Sequence, residues 1–563
     1  MPQSYSPPPM SQLDDVLATL PRLPERAFDD KHAGRVAHIE AAKTRPCDAV
    51  SSPISSSGLS AFGEVEERIS VTLSSLAPVF CTALSGILAG YDTGIITDAL
   101  VQVRGDLTLG NAPLQMSQRE YLMSAATLGA LVGSLFTGLF PFSRRWMFGT
   151  ADLIYIAGAV TQAMSTSVWG LIAGRFVVGL AIGISLCIAP VYVQELAPAR
   201  LRGRMAVFVI ASVNLGQLTG YAIAAGLDHV SRGWRWLFGL GALPAAIQLY
   251  FLAHLPESPR ILVRRGEVAS AEAVLTRLHP GATPADIMRQ VRLLQNDCDH
   301  ENDDEDSTWA RIRLLTSEPS NRRALIVAVV LQALQQLCGF NSFIYYGSSL
   351  FDAVGLSQPS YVGLVVAGTS LLFTLLAMRY IDSLGRRPIL LWSIPAMTFG
   401  LVLASVSFYF LRKGTLQLDG DEWYPPQWSA AVLLSMLIYI SAYAVGLGNV
   451  PWQQGELFPL EVRGVGVALA SATNWAASFL VGTTYVPLMR TISSAGTYGV
   501  YAGVVIPGYL FCIYCYPETA GLSLEEVRRI FRNDFGVAIA ARLRREKRTL
   551  RGSPATFTRS SEL

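Results

Sequence analysis

Long uncharged runs alternate with short polar or basic junctions along most of this chain. About 20 apolar residues suffice for one helix to cross the hydrocarbon core of a bilayer. Runs of that kind lie at 71–100, 121–142, 147–166, 169–192, 205–227 and 234–255, and again at 324–350, 361–381, 389–411, 428–451, 465–489 and 496–516. The pattern predicts an all-α membrane protein of twelve transmembrane helices, six on either side of a polar segment at 259–323. Composition supports this: 15% of residues are charged, against roughly 25% in soluble domains, which excludes an ordinary soluble enzyme.

The net charge is +2, so no global field points to nucleic acid, and the basic residues are informative by position. Arg144 and Arg145, Arg200 with Arg202 and Arg204, Arg386 and Arg387, and Arg463 follow even-numbered runs, and Arg542, Arg544, Arg545, Lys547 and Arg548 lie in the C-terminal segment. The positive-inside bias then places these loops and both termini in the cytoplasm. The expected organisation is a disordered N-terminal tail at 1–70, a six-helix bundle at 71–258, a cytoplasmic linker at 259–323, a second bundle at 324–516 and a cytoplasmic tail at 517–563. Within the linker, 267–278 and 284–295 read as short amphipathic helices, the second opening with a Thr283 cap, Pro284 and Asp286. The seven cysteines fall in apolar runs or cytoplasmic segments and are expected to be packing thiols.

One junction occurs twice. Pro190 to Pro198 contains Glu195 and is followed by Arg202-Gly203; Pro451 to Pro459 contains Glu456 and is followed by Arg463-Gly464, at the same spacing. Pro256-Glu257-Ser258 is echoed by Pro517-Glu518-Thr519, and Ser143-Arg144-Arg145 by Gly385-Arg386-Arg387. Equivalent elements after runs two, four and six of each half indicate a parallel repeat, as in one large class of secondary transporters. Glu and Arg at one membrane edge can latch the halves in one state of an alternating cycle, or anchor loops at the head groups.

Together the motifs resemble the sugar porter family of the major facilitator superfamily, nearest to fungal and plant myo-inositol transporters. They are Gly90-Tyr91-Asp92-Thr93-Gly94, Gly174-Arg175, Pro256 to Arg260, Gln335-Gln336 through Gly339 to Asn341 with Tyr345-Tyr346, Asp382 through Gly385-Arg386-Arg387, and Pro517-Glu518-Thr519. The run Gly448-Asn449-Val450-Pro451-Trp452 carries the inositol likeness, and Asn474-Trp475 also fits. The resemblance implies a major facilitator fold with the substrate between two six-helix halves. It assigns substrate contacts to Gln335, Gln336, Asn341, Tyr346, Trp452 and Asn474, proton coupling to Asp92 with Arg175, and gating to Glu195, Arg202, Glu456, Arg463, Asp382, Arg386 and Arg387.

The chemistry fits. Amides in an apolar helix both donate and accept, as sugar hydroxyls do, although an interhelical hydrogen-bond network would also explain them. Gln336 and Asn341 are five apart, so Gly339 and local unwinding are needed for both to face one cavity. Asp92 within a span would cost at least ~2.5 kcal/mol unpaired. A static ion pair with Arg175 is the alternative to a proton site. Ile210 stands where the family has a Gln, Ser370 where it has an Asn, and Phe140 where it has an Asp ahead of Gly-Arg-Arg. The last change is expected to shift state populations or slow cycling. The expected partners are therefore a small polyol or sugar, a proton and the bilayer, in the plasma membrane, with no nucleic acid, metal or cofactor. A hexose carrier, a sugar-sensing transceptor and an exporter of a non-sugar metabolite are the rival readings.

Overall fold

The computed structural model describes residues 73–103, 116–139, 143–196, 202–278, 283–299, 307–343, 359–414, 416–418, 421–423, 425–522 and 524–552. In lipid every backbone polar group needs a partner within its own segment, which makes helices of the apolar runs. The spanning helices of the first half are α1 (Leu73–Val103), α2 (Met116–Leu139), α3 (Arg144–Ala163), α4 (Val168–Leu196), α5 (Arg202–Gly226) and α6 (Gly233–His254, interrupted at Gly241). Those of the second are α7 (Pro319–Phe343), α8 (Pro359–Leu384), α9 (Arg386–Gly414), α10 (Pro426–Val445), α11 (Leu460–Thr491) and α12 (Ser493–Cys515). Eleven are long and apolar enough to cross a membrane. The other, α3, carries Arg144, Arg145 and a buried Asp152, yet its 20 residues pack against α4 and α6 as one of the bundle. Large side chains turned outward, such as Trp392 at 83% exposure, give the surface an apolar face suited to lipid.

Within the first half α1 packs on α5 and α2 on α4; within the second α9 packs on α10 and α12, and α7 on α11. The halves meet most extensively through α2 with α11 and α5 with α8. The α2–α4 seam is set by glycine from both sides. A Cβ at Gly129 would lie 2.1 Å from the Phe176 carbonyl oxygen, and one at Gly179 would lie 2.0 Å from that of Ala126. Only hydrogen fits at either point, so the backbones approach closely, the usual way in which membrane helices gain packing energy without a hydrophobic drive.

Between the halves run Pro259–Arg264, Val268–Leu278, Pro284–Asp299 and Thr308–Ser317, helices that share small cores such as Leu275, Ile287 and Val291. The expected cap forms at Pro284–Asp299: the Asp286 amide donates to Thr283 Oγ1 at 3.3 Å, and the Thr283 amide donates back to Asp286 Oδ2 at 3.2 Å. The described strands are a three-residue antiparallel pair, Leu416–Leu418 with Asp421–Trp423, between α9 and α10. Cys81, Cys187, Cys338 and Cys512 are buried free thiols.

Candidate functional site

Four helices of each half (α1, α2, α4 and α5; α7, α8, α10 and α11) surround a cavity of about 120 Å³. Asp92 of α1 and Arg175 of α4 both line it. Arg175 Nη1 lies 2.5 Å from Asp92 Oδ1, with the two side chains 2% and 6% exposed. Gly90 and Gly94 bring α1 so close to α5 that a Cβ at either would meet the backbone of Val213 or Gln217. This approach seats Asp92 deep in the bundle, where its one close cation is Arg175 among the described residues.

Opposite that pair the amides of the second half are already bonded to one another. Gln335 Nε2 donates to the Leu447 and Gly448 carbonyls at 3.1 and 2.9 Å. Asn474 Nδ2 donates to Gln335 Oε1 at 2.6 Å and to Gln332 Oε1 at 2.7 Å. Gln336 Nε2 donates to Asn474 Oδ1 at 3.1 Å, and Asn341 Nδ2 donates to Gln336 Oε1 at 2.6 Å and to Ser478 Oγ at 2.8 Å. The five-residue step from Gln336 to Asn341 is bridged as its spacing requires: regular helix ends at Leu337, and Gly339 adopts a φ of +86°. Trp452 sits in a 3₁₀ turn, Val450–Glu456, beyond α10 and forms part of the cavity wall.

Gln332 is absent from the predicted set, yet it is fully buried and central. Its Nε2 donates to Gln454 Oε1 at 3.0 Å and to the Pro451 carbonyl at 3.2 Å, tying α7 to the 3₁₀ turn. Its spacing from Gln335 and Gln336, three and four residues, places all three on one helix face and was the available signal. The substitutions at Ile210 and Ser370 also have a structural counterpart. One turn from each, Asn214 of α5 donates to Thr374 of α8 at 2.8 Å, a hydrogen bond across the two halves. Among the described residues, four buried polar atoms of the cavity lining have no hydrogen-bond partner: Arg175 Nε, Gln217 Oε1, Asn449 Oδ1 and Trp475 Nε1.

The charged residues meet at the Arg-rich end. Arg386 is 3.2 Å from Asp382 and 3.1 Å from Glu456, and its Nε donates to Gln453 at 2.8 Å. Arg204 of α5 reaches Asp382 at 3.6 Å, joining the first half to this cluster. Gly385, at φ +101°, turns the chain so that the Arg386 and Arg387 amides donate to Glu518 at 3.0 and 3.2 Å. Arg544 of the helix Val537–Gly552 donates to the same carboxylate at 3.0 Å. The repeat retains a weaker copy in the first half, where Ser143 donates to Glu257 and Arg145 donates to the Ala253 carbonyl at 2.8 Å. Arg463 donates to the Phe458 carbonyl at 3.3 Å. Tyr346, Phe140 and the side chains of Glu195 and Arg202 lie outside the described residues.

Two six-helix halves around a buried polar cavity define a multi-pass membrane transporter of the major facilitator fold. Residues 79–531 match the family described as "Sugar (and other) transporter", and the chain belongs to it. Among its relatives is Myo-inositol transporter 1 of Cryptococcus neoformans var. grubii, 43% identical over 83% of each chain. Myo-inositol transporter 1 of Saccharomyces cerevisiae is 37% identical over 83% of this chain and 81% of its own. Myo-inositol transporter 2 of Schizosaccharomyces pombe is 36% identical over 86% of each. The chain is thus a sugar porter related to fungal inositol transporters, and not an enzyme. Among solved structures, the proton:xylose symporter XylE bound to 6-bromo-6-deoxy-D-glucose superposes with a TM-score of 0.70 at 24% identity. That match covers 81% of this chain and 99% of XylE, and it establishes the fold.

Proposed function

We propose that the protein carries myo-inositol or a closely related polyol into the cell together with a proton, by alternating access. One observation carries the reading: the buried Asp92–Arg175 pair and the amide network line the same cavity. A substrate there sits within reach of the group that would exchange the proton. When a shift of α1 against α4 within the first half separates the pair, Asp92 loses its counter-charge and takes up a proton; when α1 returns, Arg175 reclaims the carboxylate.

Under this reading Gln335, Gln336, Asn341, Tyr346, Trp452 and Asn474 hold the polyol, their amides exchanging bonds with each other for bonds with hydroxyls. The cluster of Arg204, Asp382, Arg386 and Glu456 is the gate that closes the Arg-rich end, with Glu195, Arg202, Arg387 and Arg463 as its supports. The distribution of arginines favours that end, and both termini, being cytoplasmic; uptake into the cell would take place in the plasma membrane. The inositol assignment rests on the relatives and on Asn449-Val450-Pro451-Trp452. The test is uptake of labelled inositol and hexoses in cells lacking their own carriers, across external pH, with Asp92→Asn in parallel. Inositol uptake should rise at acid pH and become pH-independent or vanish in the variant. Robust uptake unaffected by pH and by Asp92→Asn would refute proton drive and leave the substrate standing.

A further inference from the structure

The turn that joins α10 to the 3₁₀ segment is held from two sides. Within it the Gly448 amide donates to the Tyr443 carbonyl at 2.8 Å, and the Asn449 amide donates to the Gly446 carbonyl at 3.0 Å. From α7, Gln335 Nε2 takes the Leu447 and Gly448 carbonyls. Asn449 is 1% exposed, lines the cavity and donates its Nδ2 to the Ala444 carbonyl. That bond fixes which way the side-chain amide lies, because turned over it would set its oxygen against the Ala444 oxygen, acceptor against acceptor. Oδ1 is the atom left over, with no hydrogen-bond partner among the described residues.

Such an oxygen discriminates between ring types, since it can only accept. A cyclitol offers it a hydroxyl at every ring carbon, whereas a pyranose puts at one ring position an oxygen that has no hydrogen to give. The energetics single out the same atom. Gln335, Gln336, Asn341 and Asn474 already bond one another, so a hydroxyl among them exchanges bonds. At Asn449 Oδ1 it adds one without taking any from another side chain. The network and the turn are also joined: cargo that draws Gln335 Nε2 away from the Leu447 and Gly448 carbonyls releases the turn on which Asn449 sits. Asn449 belongs to the run that carries the inositol likeness.

We propose that Asn449 is the residue that selects a cyclitol over a pyranose, its Oδ1 accepting a hydrogen bond from a ring hydroxyl of the cargo. A pyranose that turns its ring oxygen to this place leaves two acceptors facing each other, so it loses orientations that a cyclitol keeps. The substrate contacts named above hold a polyhydroxylated ring of either kind, because each amide both donates and accepts. Asn449, with its donor side committed to Ala444, adds the requirement for a donor.

This inference rests on inositol being the cargo, and the experiment separates the two. The full chain in nanodiscs is read for displacement of labelled myo-inositol by a series of monodeoxy- and monodeoxyfluoro-inositols and by D-glucose. Fluorine keeps the size of a hydroxyl and a weak acceptor but cannot donate. At one ring position both replacements should weaken binding by about 5- to 150-fold, the range set by an unmet buried group. In Asn449→Ala that loss should disappear while losses at the other positions remain, and the preference for inositol over D-glucose should narrow in step. Asn449→Ser, whose hydroxyl is too short to stand where Oδ1 does, should behave alike and decides the matter if the Ala variant does not fold. Variants that weaken every analogue and D-glucose equally would reduce Asn449 to a packing role and overturn the inference, leaving inositol as the cargo. Fluorinated analogues that all bind the unaltered protein as well as inositol does would have the same effect. No binding of labelled inositol to the unaltered protein would overturn the substrate and the inference together.

Discussion

Replacing Arg204 by Ala isolates the contact that ties the first half to the cluster at the Arg-rich end. Arg204 reaches Asp382 at 3.6 Å, and the two side chains are 42% and 20% exposed. A pair this open to solvent is worth only about 0.2–1 kcal/mol, which shifts a two-state equilibrium by roughly 1.4- to 5-fold. The Arg386–Asp382 and Arg386–Glu456 pairs remain in the variant. Asp382→Asn removes the same contact between the halves and also one partner of Arg386, which is 5% exposed and keeps Glu456; that second loss falls within the second half and should lower its stability in both states. The expected result is therefore a small opening of similar size in Arg204→Ala and Asp382→Asn, with a lowered unfolding temperature in Asp382→Asn. Spin labels at the Arg-rich ends of α5 and α8, read by pulsed distance measurements in nanodiscs, report the two populations directly. A double-mutant cycle should return a coupling of about 0.2–1 kcal/mol. Arg204→Ala opening the end more than about tenfold, or showing no coupling to Asp382, would refute this account of the gate.

Other consequences can be checked singly. Gly179→Leu should destabilise or misassemble the first half, because a Cβ 2.0 Å from the Ala126 carbonyl oxygen has no room; thermal unfolding in detergent should fall, with an expected cost of about 1–3 kcal/mol or more. Gln332→Leu takes one hydrogen bond from Asn474, which keeps Gln335, and removes the donor to Gln454 Oε1; an unmet buried group costs about 1–3 kcal/mol, so both stability and inositol affinity should drop in binding measurements. Gln217→Leu removes a buried oxygen that has no partner in this state; the protein should become slightly more stable, whereas its apparent KM for inositol should rise if that oxygen serves the substrate. Asn214→Ala deletes a hydrogen bond between the halves at 2.8 Å and should raise the exposure of cavity cysteine probes to a membrane-impermeant thiol reagent.

The fold was legible because its two signals, apolar length and a repeated junction, are properties of the chain itself. Asp382 and Arg386 are four apart and meet across the Gly385 turn between α8 and α9. The amides of α7 were visible as rare polar residues in an apolar run. What sequence could not reveal was their state of satisfaction, since the partners of Gln335 are the Leu447 and Gly448 carbonyls more than a hundred residues away. Gln332 was passed over because it lies outside the family motif, although helical spacing put it on the motif's face. Asn214 and Thr374, one turn from Ile210 and Ser370 on two different helices, bond to each other, and no local rule connects them. Asp152 was read as part of the apolar run 147–166, although α3, which carries it with Arg144 and Arg145, is the one of the twelve helices that is not among those apolar enough to cross a membrane.

Under the proposed function, a binding site assembled from amides that already satisfy one another has a consequence for release. A hydroxyl entering among Gln335, Gln336, Asn341 and Asn474 breaks about as many hydrogen bonds as it forms, so the net gain is small even when every contact is well made. A receptor built this way would be a poor one. A carrier gains from it, because the bonds its cargo gives up on departure are remade among the side chains left behind, and the empty site is ready to return.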